Sequence, residues 1–301
     1  MDSRMNAPLF DRALLDRRRR RALRDPANHG ARFLLEAVTA ELAERLSLVE
    51  RRFPLAVDLA GHSGEMAAQL AIGGQVDTVV RIERDAVMLG GGGLSVVADE
   101  EALPLAEESV DLVVSALSLH LTNDTPGTLV QIKRALKPDG LFLAALLGGE
   151  TLTELRASLL AAEAEIVGGV SPRVPPFVDI RDAGALLQRA GLALPVTDQD
   201  RLTVRYGSMF ELMRDLRAMG MANMLTERSR VPSRRSLFFR AAQIYAERYS
   251  DPDGRVRATF DIVYLSGWKP HESQQKPLQP GSAKASLSAV LNDRSDSIRK
   301  S

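Results

Sequence analysis

The sequence of 301 residues contains no cysteine and only four histidines. The absence of cysteine excludes disulfides, thiolate zinc sites, cysteine-ligated iron–sulfur clusters and cysteine nucleophiles. The histidines stand far apart in the chain, and none of them lies in a His-x-Asp/Glu or HExxH pattern. The sequence therefore contains no ready-made metal triad, and we predict no metal site.

An excess of one charge and long apolar runs are also missing. Lysine plus arginine (39) balances aspartate plus glutamate (39), so no overall field attracts nucleic acid, and we expect no nucleic-acid partner. The apolar runs are too short to span a bilayer, and the N-terminus lacks the basic-then-apolar order of a secretory signal. We therefore expect a cytoplasmic location.

The N-terminal segment carries an uninterrupted basic run, Arg17 to Arg21, beside leucines that predict an amphipathic helix over Asn6–Leu23. One interpretation is a solvated basic face whose arginine stems cover apolar surface. The alternative is a docking surface for an acidic partner or for anionic lipid, with peripheral association at the inner face of the inner membrane. A second helix is predicted over Gly30–Val49, so residues 1–49 form a helical segment.

From Phe53 to Gly149 short apolar runs alternate with helical stretches, which predicts a parallel sheet covered by helices on both faces. Five strands are expected, and a turn at Lys137–Gly140, where proline and an Asp-Gly pair break the chain, leads into the fifth. The predicted strands are Leu55–Leu59, Thr78–Ile82, Ser95–Ala98, Leu112–Ala116 and Leu141–Ala145, with helices at Glu65–Ala71, Asp85–Leu89 and Pro126–Leu136 between them.

After Gly149 the pattern is more helical and less regular. Helices are predicted at Leu152–Ile166, Ile180–Ala190, Met209–Met219 and Arg234–Tyr249, and strands at Leu202–Arg205 and Ala258–Ser266. We therefore expect a main domain over residues 50–272, in which residues 151–257 are a more helical accessory part. Residues 273–301 are rich in Gln, Ser, Lys and Pro and are expected to be a disordered tail.

Candidate binding residues follow the first three predicted strands, at the edge where open α/β sheets bind ligands. Asp58 ends the first strand, and Gly61 and Gly64 let the backbone of the next turn approach a ligand. After the second strand, Glu83 can accept hydrogen bonds from two ribose hydroxyls. After the third strand, Asp99 offers a carboxylate to an adenine amino group. Together these residues predict a nucleoside pocket.

Two stretches, "ADEEALPLAEESVDLVVSALSLHLTND" and "RALKPDG", resemble the BioC-like group of class I S-adenosylmethionine-dependent methyltransferases. This resemblance implies a Rossmann-like class I methyltransferase fold, with a seven-stranded, mostly parallel sheet and helices on both faces. It also implies that S-adenosylmethionine is the cofactor. The seventh strand would lie antiparallel between the fifth and sixth, and Ala258–Ser266 is expected to be that strand.

A closer resemblance covers nearly the whole chain. The stretches "LFDRALLDRRRRRAL", "GGVSPRVPPFVDIRDAGALLQRAG" and "GWKPHESQQKPLQPGSA" are similar to the mitochondrial complex I assembly factor 5 family and its bacterial relatives. That family implies a protein substrate, a subunit of respiratory NADH dehydrogenase, and hydroxylation of an arginine. The family pattern after the first strand is Asp-Leu-Gly-Cys-Gly-x-Gly. Here Ala60, Gly61 and His62 replace its third to fifth residues, so a side chain at 62 intrudes on the expected cofactor space.

The sequence says less about the reaction than about the fold, and three functions remain open. Ser118 and His120 follow the fourth strand, where a transferred methyl group would point, and they are candidate catalytic or pocket-lining residues. Arginine hydroxylation would need an oxygen-activating group that the sequence does not supply. The alternatives are a non-catalytic assembly chaperone with a degenerate cofactor site, and a small-molecule or acyl-carrier methyltransferase of the BioC type.

Overall fold

The computed structural model describes residues 7–90 and 92–275. Seven strands form one sheet: β1 Phe53–Leu59, β2 Val76–Glu83, β3 Leu94–Val97, β4 Val110–Ala116, β5 Leu136–Leu147, β6 Ala193–Tyr206 and β7 Val256–Trp268. The helices are α1 Arg12–Arg24, α2 Phe33–Ser47, α3 Glu65–Ile72, α4 Ala86–Leu89, α5 Thr125–Ala135, α6 Thr153–Val167, α7 Ile180–Arg189, α8 Met209–Ala218 and α9 Arg235–Tyr249. Short 3-10 turns cover Pro26–Arg32 and Leu119–Leu121.

The strand order is β3-β2-β1-β4-β5-β7-β6. The first five strands pair in parallel, whereas β7 is antiparallel to both β5 and β6. The order reverses between β1 and β4, and in open α/β sheets ligands bind at such a switch point. The predicted class I methyltransferase sheet is therefore confirmed, including the antiparallel position of the last strand.

Two apolar layers cover the sheet because successive side chains of a strand point to opposite faces. Ala56 and Leu112 pack on one face with α2, α3, α6, α8 and α9, whereas Val57 and Val113 pack on the other with α5 and α7. The interior strand β5, between β4 and β7, is buried along its last eight residues. A strand covered on both faces is apolar throughout, which is why the sequence identified it as a continuous run.

Three local predictions differ from the structure. The first helix begins at Arg12 and not at Asn6, because Asp11 caps it by accepting a hydrogen bond from the Leu14 N–H. The Lys137–Gly140 segment does not separate a helix from a strand. Strand β5 begins at Leu136 and passes through a register shift, with Asp139 in the left-handed region. Strand β6 is 14 residues long where four were expected.

The described residues up to Pro270 form one compact unit, and His271–Gln275 belong to a second. The finer division into segments 1–49, 50–272 and 273–301 stays a prediction. The predicted disordered tail lies outside the described residues from position 276 onward. Within the described part of the chain, no helix is both long enough and apolar enough to cross a membrane.

Candidate functional site

The turn after β1 holds the first candidate residues close together. Asp58 is fully buried, and a Cβ added to Gly61 would lie 2.1 Å from its carboxylate, so only glycine fits there. Gly64 adopts a φ of +95° at the start of α3, which L side chains rarely tolerate. Burial raises the pKa of Asp58 to about 6, against the opposing charge of Arg81. The two glycines are thus required by geometry.

Arg81 on β2 holds this turn in place. Its guanidinium donates hydrogen bonds to the carbonyl oxygens of His62 (2.9 Å), Met88 (2.9 Å) and Leu89 (2.7 Å). The same group stands 3.7 Å from the Asp58 carboxylate. Sequence reasoning missed Arg81, because a charged residue inside a predicted strand gives no sign of its partners.

Glu83 ends β2 beside the turn, as predicted. Its side chain is 5% exposed, and one carboxylate oxygen, Oε1, has no hydrogen-bond partner. Burial raises the pKa of Glu83 to about 8, although Arg19 opposes the shift. A buried acceptor without a donor is costly, so a ligand hydroxyl would improve its environment.

Asp99 is close to the same edge of the sheet as Glu83, but its side chain already has protein partners. Its Oδ1 accepts a hydrogen bond from the Glu101 N–H (2.8 Å) and lies 2.8 Å from Nη2 of Arg12. Arg12 also contacts Glu100 at 2.6 Å. The structure therefore places Asp99 in a turn that anchors α1, with its side chain 41% exposed.

Helix α1 covers the ends of β2 and β3 through ion pairs spaced four residues apart. Besides Arg12, its Asp16 contacts Arg84 at 2.7 Å, and its Arg20 donates to Asp85 at 2.7 Å. Arg19 is buried, whereas Arg17 is exposed. The predicted single solvated face over Arg17–Arg21 is therefore wrong, because the run is divided between solvent and the sheet.

A cavity of about 100 Å³ lies between α1 and the turn after β1. Arg19, His62, Ser63, Met88 and Leu117 are among its lining residues. Small-molecule pockets usually measure roughly 300–1,000 Å³, so this one must widen before it holds a nucleoside. His62 has a φ of +58°, and its Nε2 lies 3.3 Å from the Leu117 carbonyl oxygen. Its side chain thus borders the space, as its position in the family pattern predicted.

Ser118 and His120 follow β4 and are both buried. The Ser118 hydroxyl has no hydrogen-bond partner. Nδ1 of His120 accepts a hydrogen bond from the Leu147 N–H at 3.4 Å, while its Nε2 has no partner, and its ring meets Phe177 edge-on at 5.8 Å. Burial lowers the pKa of His120 to about 3, so the imidazole is neutral at physiological pH.

Comparisons with known proteins agree with this geometry. A methyltransferase domain family model matches residues 57–144, which contain the turn, Glu83 and His120. Two solved structures share the fold. A candidate methyltransferase from Bacillus halodurans is 18% identical, with a TM-score of 0.55 over 78% of this chain and 100% of that one. The YcgJ protein of Bacillus subtilis is 13% identical, with a TM-score of 0.54 over 77% of this chain and 99% of that one.

Curated relatives are more similar in sequence. The human protein named arginine-hydroxylase NDUFAF5, mitochondrial, is 43% identical over 93% of this chain and 82% of its own length. The zebrafish (Danio rerio) protein of that name is 41% identical over 95% of this chain and 90% of its own length. A malonyl-[acyl-carrier protein] O-methyltransferase from Laribacter hongkongensis is 36% identical over 62% of this chain and 60% of its own length.

These names contradict the prediction of a cytoplasmic location, since the human, rat and mouse relatives are each named as mitochondrial proteins. Short apolar runs and the lack of a secretory-signal pattern were weak grounds, because mitochondrial proteins can share both features. The fold, the matched domain and the identity over most of both chains agree on one assignment. The chain belongs to the family of the arginine-hydroxylase NDUFAF5 proteins, within the methyltransferase fold.

Proposed function

We propose that this chain binds S-adenosylmethionine and modifies an arginine side chain of a protein partner by hydroxylation during assembly of respiratory NADH dehydrogenase. The observation that carries the cofactor part is Glu83: a buried carboxylate with an unpartnered oxygen, placed beside a glycine turn at the switch point of the sheet. The arginine part rests on the relatives named arginine-hydroxylase. The assembly role rests on the resemblance of the sequence to complex I assembly factors.

Each residue has a defined part in this proposal. Glu83 accepts hydrogen bonds from the ribose hydroxyls, Gly61 and Gly64 admit the ligand to the backbone, and Asp99 receives the adenine amino group. Asp58 stabilises the turn after β1 through its contact with Arg81. Held by these residues, S-adenosylmethionine would supply an electrophilic sulfonium group.

Ser118 and His120 are proposed to line the acceptor side. Because the His120 imidazole is neutral, it accommodates a cationic guanidinium better than a charged imidazolium would. Hydroxylation replaces a C–H bond by C–OH and needs an oxygen-activating group. Within the described residues, no three His, Asp or Glu side chains stand together in a metal-binding arrangement. In this proposal the oxidant is dioxygen: one oxygen atom enters the C–OH group, and the other leaves as water with two protons and two electrons. A partner in the assembly supplies those electrons and the group that activates the oxygen.

The decisive experiment is mass spectrometry of NADH dehydrogenase from cells with and without the protein. The proposal predicts that one arginine of a subunit loses a mass of one oxygen atom when the gene is deleted. Calorimetry of the purified protein with adenosylhomocysteine, titrated well above micromolar concentrations, tests the cofactor part separately. Full hydroxylation in the deletion strain, or no heat of binding, would contradict the corresponding half of the proposal.

A second candidate function is methyl transfer to a small molecule or acyl carrier, favoured by the match to malonyl-[acyl-carrier protein] O-methyltransferases. The deletion strain separates the two: biotin auxotrophy indicates this second function, and loss of membrane NADH dehydrogenase activity indicates the first.

A third candidate, an assembly chaperone without cofactor, is favoured by the small cavity and by His62 at its border. For that candidate, His62→Gly should create or improve adenosylhomocysteine binding without changing assembly of the complex.

A further inference from the structure

Arg19 is a buried arginine in the wall of the cavity between α1 and the turn after β1. It extends from α1, it is 8% exposed, and it lines the cavity together with His62 and Ser63 of the turn after β1. Its backbone is held closely, because a Cβ added to Gly220 would lie 3.0 Å from the Arg19 Cα. The position of Arg19 is therefore fixed by packing.

The guanidinium of Arg19 lacks the partners that buried charges normally have. Its Nε and Nη2 make no hydrogen bond, although both atoms are shielded from solvent. Burial lowers the pKa of Arg19, while the carboxylates of Glu83, Glu100 and Asp16 oppose that shift. An arginine remains charged in proteins. The buried cation thus lies near three acidic side chains but bonds to none of them through Nε or Nη2, and these two nitrogens remain without acceptors.

The surroundings define what would satisfy these donors. A planar guanidinium fork matches the two oxygens of a carboxylate. The N-terminus of α3 follows directly after Ser63, and helix N-termini also favour anions. Glu83, at the same mouth of the sheet, has an oxygen that needs a donor such as a hydroxyl. A ligand that satisfies both groups carries hydroxyls at one end and a carboxylate at the other.

We propose that Arg19 binds the carboxylate of the amino-acid portion of the adenosylated cofactor, so that the N-terminal helix completes the cofactor site. This inference rests on the proposed function, because it assumes that an adenosyl ligand enters the pocket. It makes Arg19 a binding residue that distinguishes ligands with the amino-acid carboxylate from those without it. If Arg19 instead filled the ligand space, its replacement would have the opposite effect and would strengthen ligand binding.

The test compares two ligands by calorimetry: adenosylhomocysteine, which has the carboxylate, and 5′-methylthioadenosine, which lacks the amino-acid portion. Arg19→Met should weaken adenosylhomocysteine binding at least about tenfold, or about 1.4 kcal/mol, and change methylthioadenosine binding less than about twofold. Arg19→Lys should give an intermediate loss, because it keeps the charge without the fork. Arg17→Met, on the exposed side of the same helix, is the matched control and should change neither.

A measurement on the unaltered protein keeps the inference testable if the Arg19 variants do not fold. Decarboxylated S-adenosylmethionine should bind at least about tenfold more weakly than S-adenosylmethionine. Equal binding of these two ligands, an equal effect of Arg19→Met on both nucleosides, or tighter binding by that variant would overturn the inference and leave the proposed function intact. If the unaltered protein binds none of these ligands, both the proposed cofactor and this inference are contradicted.

Discussion

Asp58 of β1 and Arg81 of β2 are register partners in the parallel sheet, and Nε of Arg81 lies 3.7 Å from the Asp58 carboxylate. Asp58 is fully buried, so this guanidinium is the charge that offsets it. Because Arg81 also bonds three carbonyl oxygens of the turn after β1 and of the α4 region, one side chain fixes the floor of the pocket.

Replacing Arg81 should therefore destabilise the whole domain. Arg81→Met leaves a buried carboxylate and three carbonyl oxygens without their partner, and we expect a loss of about 3–5 kcal/mol in the free energy of unfolding. Urea denaturation followed by circular dichroism measures this value. Arg52→Met is the control, because Arg52 pairs with Asp77 in solvent, and it should cost less than about 1 kcal/mol. Equal losses for the two variants would contradict the assigned role of Arg81.

The contact between Gly61 and Asp58 predicts a sharp difference between two glycines. A methyl group at Gly61 would lie 2.1 Å from the buried Asp58 carboxylate, whereas the space around Gly149 is open. Gly61→Ala should lower the free energy of unfolding by about 1–3 kcal/mol or more, as overpacking does. Gly149→Ala should change it by less than about 0.5 kcal/mol. Thermal and urea unfolding of both variants check this, and a neutral Gly61→Ala would show that the turn is not packed as described.

Glu83 should make stability depend on pH. Its folded-state pKa of about 8 lies above its ordinary value of 4.5, so its protonated form favours the folded state. The contribution is complete below about pH 4.5 and is lost as pH rises through 8, at up to about 1.4 kcal/mol per pH unit. Glu83→Gln should therefore gain stability relative to the unaltered protein as pH rises from 5 to 8. Glu107→Gln, at an exposed position, serves as control. A constant difference across this range would refute the assignment.

The anchoring of α1 should depend on Arg12. This guanidinium is 9% exposed and contacts Asp99, Glu100 and Glu101, and Glu100 is itself 4% exposed. Arg12→Met should lower the free energy of unfolding by about 3–5 kcal/mol because it leaves Glu100 buried and unpaired. It should also speed amide hydrogen exchange throughout α1. Arg17→Met should leave both quantities unchanged. Unaltered exchange in α1 after Arg12→Met would mean that other contacts hold the helix.

The sequence was most informative where burial is uniform. The apolar part of β5 is covered on both faces, and the predicted strand Leu141–Ala145 lies within it, whereas most of β6 was missed. Strand β6 lies at the sheet edge with polar residues such as Asp198 and Asp200 along it, and an edge strand needs no continuous apolar run. The place of β7 between its neighbours came from the family resemblance, because strand composition does not specify partners.

For the candidate site, the sequence predicted where residues lie along the sheet but not which side chains they contact. Residues that end parallel strands meet at one edge, so the positions of Asp58 and Glu83 followed from the strand assignments. The roles of Arg19 and Arg81 could not be predicted in this way, since burial of an arginine depends on elements distant in sequence. One signal was available: Arg12, Asp16 and Arg20 recur at intervals of four with alternating charge, which indicates a helix face that meets charged groups.

The start of α1 is joined to two distant parts of the chain. Phe10 exchanges two hydrogen bonds with the side chain of Asn123, and the Asp11 N–H donates to the Met224 carbonyl oxygen. Synthesis from the N-terminus therefore produces this helix before its partner, and the helix can take its final place only after residue 224 has been synthesised. Closure of the cavity between α1 and the turn after β1 is thus a late event in folding, and the growing polypeptide leaves this edge of the sheet uncovered until Met224 has been made.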